Sequence, residues 1–146
     1  MVEPYQSGFF KSNPYAVKRE VQGRLAVVLR GKLDNRGLNL ITPISRAVQK
    51  NEIHELILTD EEGAVPGSRV DGIAYLGFVE IITGGVLVAG DEFICNGEFL
   101  GRVAGFDETH LPNHLNIVIS SHKRIDGMEL EVPLEAVIVF RQNQRE

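Results

Sequence analysis

Cysteine is almost missing from this chain: 146 residues contain one, Cys95. A lone thiol cannot close an intrachain disulfide, and no Cys-x-x-Cys pair exists to support dithiol chemistry. Cys95 falls in an apolar run beside a turn, where it reads as a small buried hydrophobe rather than a nucleophile. No apolar run approaches the roughly 20 residues needed to cross a bilayer. The first thirteen residues have neither the apolar core nor the small-residue cleavage pattern of a signal peptide. A cytoplasmic protein without membrane contact is therefore expected. Also missing are a phosphate-cradling glycine motif, a nucleophile elbow and a zinc-protease motif, which turns the expectation away from an enzyme. With a net charge of −5, no basic helix and no basic strand interleaved with aromatics, nucleic-acid binding is not expected, because phosphate neutralisation supplies most of such affinity.

The charge that is present is divided unevenly. Residues 1–50 carry nine Lys or Arg against three Asp or Glu, a net of +6, and residues 51–146 carry six against seventeen, a net of −11. The two parts should attract each other, within the chain or between subunits. Apolar content of 43% and 24% charged residues suit one soluble domain long enough to bury a full core. Four aromatics, Tyr5, Phe9, Phe10 and Tyr15, stand among Pro4 and Pro14 in residues 1–20, which reads as an extended arm lying on its own body or on another subunit. Homo-oligomerisation is expected on these grounds.

The remainder reads as an all-β fold. Asn96-Gly97 is a strong type I′ hairpin signal, placing Cys95 opposite Glu98, Ile94 opposite Phe99, Phe93 opposite Leu100 and Asp91 opposite Arg102. Asp126-Gly127 suggests a second hairpin, with Ile125 facing Met128, Arg124 facing Glu129 and His122 facing Glu131. Leu25 to Leu29 is an unbroken apolar run, expected to be a strand covered on both faces, and Leu56 to Leu58 is expected to be a second apolar strand. Gly77, Gly101 and Gly105 inside strand patterns mark bulges or corners. Thr42 as N-cap and Pro43 at the first helical position predict one short helix over about 43–51. The expected architecture is a small closed or partly open β-barrel of short antiparallel strands over 21–140, with the arm at 1–20 and a frayed tail at 141–146.

Several stretches resemble a known family. Val86 to Phe93, then Val103-Ala104-Gly105, then Asn113 to Ile119, then Gly127 to Pro133, are similar to the IIA component of glucitol/sorbitol phosphotransferase systems. The likeness covers roughly the last third of the chain and implies a small cytoplasmic β-barrel. The family's phospho-accepting histidine would fall at Tyr75 to Val79, and this chain has no histidine between His54 and His110. The resemblance therefore implies a barrel without phosphocarrier activity, with His114 at a structural position.

Two constellations could carry chemistry. Asp107, Glu108, His110 and His114 are of the types that hold a divalent metal such as zinc, set against the plainer reading of a polar inter-strand loop. Arg36 beside Gly37, the N-terminus of the helix at Pro43, and Arg69 are candidates for an anion, set against solvated surface arginines. His54 has no obvious partner. The function expected is a non-enzymatic small-ligand-binding or regulatory module, with the ligand at the barrel mouth and no cofactor. The alternatives are a metal-dependent enzyme built on the Asp107–His114 loop and a structural scaffold subunit.

Overall fold

The computed structural model describes residues 14–143. Its centre is a ring of seven strands. In order around the ring these are β1 (Val21–Val28), β12 (Val137–Arg141), β9 (Glu92–Cys95), β10 (Glu98–Asp107), β11 (Asn116–Ser120), β5 (Ile53–Thr59) and β7 (Ile73–Thr83), which returns to β1. The short β2 (Lys32–Leu33) pairs with the start of β7 where β1 has left it. Two small ladders lie outside the ring, β3 (Leu38–Asn39) with β6 (Arg69–Val70), and β4 (Ser45–Val48) with β8 (Gly85–Val88). All ring pairings are antiparallel except β5 with β11, which run parallel and correct the expectation of antiparallel strands throughout.

Two apolar clusters explain the residue pattern. Leu25, Leu56, Leu58, Phe93, Phe106 and Phe140 belong to the cluster inside the ring, where all six are fully buried. The interior of the ring is thus a packed core. On the outer face, Ile57, Ala104 and Val118 meet Leu38, Leu40 and Val70 from the covering segments. Strands β5, β10 and β11 are thus covered on both sides, which is why Leu56-Ile57-Leu58 and Ile117-Val118-Ile119 show no alternation. The other unbroken run behaves differently. Strand β1 alternates buried and exposed residues, with Ala26 and Val27 facing out, so only one of its faces is covered.

The Asn96-Gly97 turn has both residues at positive φ, and Cys95 faces Glu98 and Ile94 faces Phe99. One rung further a bulge at Leu100 moves the register, so Phe93 faces Gly101 and Glu92 faces Arg102, in place of Leu100 and Asp91. A second bulge follows at Ala104, and β7 carries one at Leu76. The three strand glycines flank these bulges. A Cβ on Gly77 would collide with the Val27 carbonyl, and one on Gly101 with the Ser120 carbonyl.

The single helix among the described residues lies elsewhere than over 43–51. Residues 45–48 form β4, because a local capping signal on so short a segment is outweighed by pairing with β8. Instead α1 (Gly127–Leu130) forms one turn at the expected hairpin. Asp126 accepts from the Glu129 N–H at 2.7 Å while Glu129 accepts from the Asp126 N–H at 3.1 Å, a reciprocal capping box. The rungs expected around Asp126-Gly127 do not form. Glu131 caps the helix, and His122 lies exposed in the loop after β11.

The described part of the arm packs on its own body. Tyr15 donates its hydroxyl hydrogen to Ser45 at 2.8 Å, and Lys18 meets the buried Asp91 at 2.7 Å. Tyr5, Phe9 and Phe10 lie outside the described residues, as do residues 144–146. Arg141 is no frayed tail, since it ends β12 and pairs with Glu92 at 2.9 Å. Lys18–Asp91, Lys32–Glu129 and Arg46–Glu108 each join the basic first part to the acidic remainder, so the uneven charge is used within the chain. Among the described residues no helix is long and apolar enough to cross a membrane.

Candidate functional site

The outer face of β5 and β7 carries a run of polar groups beside the outer apolar cluster. Glu55 stands opposite Phe78 and Ile57 opposite Tyr75 across these two strands. Ile57 belongs to the outer cluster and Tyr75 packs against it. Over this face come two segments distant in sequence, the β2–β3 connection with Arg36 and the β10–β11 connection with His110 and His114.

Arg36 is held at its backbone by Asp71, whose carbonyl accepts the Arg36 N–H at 3.0 Å and whose carboxylate accepts the Gly37 N–H at 3.1 Å. Gly37 has φ +71, which a residue with a side chain rarely adopts. Arg69 lies against Gly37, but its charge is met by Asp71 at 3.1 Å. The Arg36 guanidinium differs. Its Nε donates to the Tyr75 hydroxyl at 3.2 Å and its Nη2 lies 3.3 Å from His110 Nε2, with no carboxylate paired to it among the described residues. Arginine only donates, so a hydrogen bond at that contact has His110 Nε2 as its acceptor.

The loop between β10 and β11 turns tightly at Pro112, and the His114 N–H donates to the His110 carbonyl at 3.3 Å. The two ring centroids lie 5.1 Å apart, with the ring planes tilted 35° to each other. His114 Nε2 lies 3.2 Å from the buried Glu55 carboxylate, and Phe78 meets its ring edge to face. Beneath the same loop, His54 accepts the Leu115 N–H on Nδ1 at 3.0 Å and meets Glu52 through Nε2 at 3.0 Å. Contrary to expectation it has partners on both nitrogens.

The four residues considered as metal ligands do not converge. Asp107 is buried and accepts from the Asn39 N–H, the Thr109 N–H and the Asn116 amide. Burial alone would raise its carboxyl, yet hydrogen bonds from Thr109, Asn39 and Asn116 outweigh that and hold it below the usual aspartate value. It anchors the loop, with three donors already on its two oxygens. Glu108 is paired with Arg46. Among the described residues, no group of three or more His, Cys, Asp or Glu is placed to hold a metal ion.

Arg36, Gly37 and Arg69 do come together, through Asp71, and His110 and His114 join Arg36. With β4 in place of a helix, no helix N-terminus contributes. Sequence reasoning missed Tyr75, Phe78 and Glu55. Only Glu55 left a signal, being a carboxylate at the start of a strand covered on both faces, where a charge needs a partner.

A model described as a family of unknown function, DUF6917, matches residues 15–141. No curated protein and no solved structure matches the chain.

Proposed function

Since the chain belongs to the DUF6917 family, whose function is unknown, membership assigns it no activity, and we propose from the site itself that the protein is a non-enzymatic module binding a small phosphate- or carboxylate-bearing molecule. The observation that carries this reading is the half-buried Arg36 guanidinium, which faces a phenol and an imidazole and no carboxylate. A guanidinium so placed keeps donors for a planar anion that a salt bridge would consume. An anion arriving there takes the Nη2 hydrogen that His110 now accepts. Tyr75 sets the orientation of the guanidinium from behind, and Glu55 fixes His114, on which the His110 ring rests.

The segment where the resemblance to sugar-transport IIA barrels would put a histidine, Tyr75 to Val79, lines this same site with Tyr75 and Phe78. That is consistent with a related barrel that binds without accepting a phosphoryl group. Homo-oligomerisation stays within the proposal on the strength of the aromatic residues at 5–10. Light scattering giving a monomer at micromolar concentration overturns that part alone.

The test is a titration with inorganic phosphate and with citrate, followed by backbone amide shifts of residues 36, 37 and 109–114. Saturable shifts are expected, with Arg36→Gln weakening binding by about tenfold or more, the worth of one charge-assisted hydrogen bond. Equal affinity in wild type and Arg36→Gln, or no saturable shift with either anion, overturns the reading.

A further inference from the structure

A second cleft, of ≈ 550 Å³, opens on the ring away from Arg36, and its walls carry opposite charges. Its volume falls in the range of small-molecule sites, roughly 300–1,000 Å³. The parallel pairing of β5 and β11 creates it. Parallel neighbours release their following loops at the same edge, so residues 60–62 and 120–122 emerge side by side, tied by the Ser121 N–H donating to the Thr59 carbonyl at 2.8 Å.

One wall presents Asp60 and Glu62, neither of which has an ion-pair or hydrogen-bond partner among the described residues. Glu61 between them is spent, accepting the backbone N–H groups of Asp71 and Gly72. The adjoining wall presents His122, Ser120 and Arg102, with Arg102 lying over the exposed Phe99 ring at 5.2 Å. Arg102 is weakly committed. Its contact with Glu92 is long, at 3.8 Å, and its Nε is buried without a partner. The two walls therefore hold unspent charge of both signs around an aromatic face, although Asp60, Glu62 and Arg102 do not pair with one another. A metal ion does not account for this, since these groups form no ligand cluster.

We propose that this cleft binds a small zwitterion, with its carboxylate on Arg102, Ser120 and His122 and its ammonium on Asp60 and Glu62. A molecule carrying both charges satisfies both walls at once, whereas a simple anion or a simple amine leaves one wall desolvated and unpaired. Phe99 covers the methylene chain between the two ends. This site is independent of the one at Arg36.

The experiment is an amide-shift titration of the full chain with glycine, 4-aminobutanoate and 6-aminohexanoate, and with butanoate and butylamine as single-charge controls. At least one amino acid should shift residues 60–62 and 120–122 together and saturate, about tenfold tighter than either control. Arg102→Gln and the double variant Asp60→Asn with Glu62→Gln should each weaken that binding by about fivefold or more, and Arg36→Gln should leave it unchanged. Asp60 and Glu62 are exposed and Arg102 is half-buried, so an unchanged melting temperature is required of each variant before its binding is compared. The proposal is overturned if no amino acid saturates, if a control binds as tightly, or if both cleft variants bind as wild type does.

Discussion

Replacing Asp107 with alanine tests whether this carboxylate is the anchor that holds the histidine loop in place. Three donors converge on it: the Thr109 N–H at 2.9 Å and the Asn116 amide at 3.1 Å on one oxygen, and the Asn39 N–H at 3.0 Å on the other. Thr109 and Asn39 are exposed residues, so water can reach their freed N–H groups and each loss costs about 0.5–1.5 kcal/mol. Asn116 is fully buried and its Oδ1 already lacks a partner. Stranding its amide nitrogen as well costs about 1–3 kcal/mol. The expected total is near ~4 kcal/mol, read as a lower urea midpoint at pH 7 by circular dichroism with the slope unchanged. The native carboxyl sits below its unfolded value, so its contribution is complete above the ordinary aspartate range and fades as the pH falls from about 5 through the lowered native value. The difference between wild type and Asp107→Ala should shrink over that interval. A loss under ~1 kcal/mol at pH 7, or a difference that stays constant into acid, refutes the reasoning.

Other substitutions probe other parts of the ring. Gly101→Ala drives a Cβ into the Ser120 carbonyl and should cost about 2–4 kcal/mol, seen as a lower melting temperature; a neutral result would mean the β10 bulge relaxes freely. Glu131 caps α1 at φ 59, so Glu131→Gly should stabilise by about 0.5–1 kcal/mol in the same assay, and a loss of stability would contradict the strain argument. Burial, with the Glu98 charge adding to it, pushes the Cys95 thiol up to about 11. Iodoacetamide at pH 8 should therefore label it slowly in the native protein and rapidly in urea, and rapid native labelling would refute its burial.

How much of this could be read from the sequence depends on how local each signal is. Asn96-Gly97 dictated its turn and the first two rungs, because both residues tolerate positive φ. The register beyond Phe99 was lost because Gly101 announces a bulge without saying which neighbour becomes the extra residue. Asp126-Gly127 misled because Asp-Gly serves hairpins and helix starts alike, and only Glu129, three residues after Asp126, distinguishes the capping box. Thr42-Pro43 has good capping chemistry but too short a segment to resist pairing with β8. The run at 56–58 was legible as an apolar strand, but the double cover expected of 25–29 falls on 56–58 and 117–119 instead, and nothing local says that these two strands lie parallel. The site divides in the same way. Arg36, Gly37, Arg69, His110 and His114 stand out as polar loop residues. Tyr75 and Phe78 are hidden in an apolar strand pattern, and Asp107 has the chemistry of a metal ligand until its three donors are counted.

Strands β1 and β12 lie side by side in the ring, Val21 opposite Phe140, and the Gln142 amide reaches back to the Tyr15 carbonyl at 2.6 Å. Geometrically, then, the ring has no first strand. A circular permutant opened in the exposed Asn96-Gly97 turn, with residues 143 and 14 joined by a short linker, would keep every rung while exchanging the order of assembly. The pairing of β1 with β12 becomes a local hairpin that can form early, and β9 with β10, now the tightest turn in the chain, becomes the last gap to close.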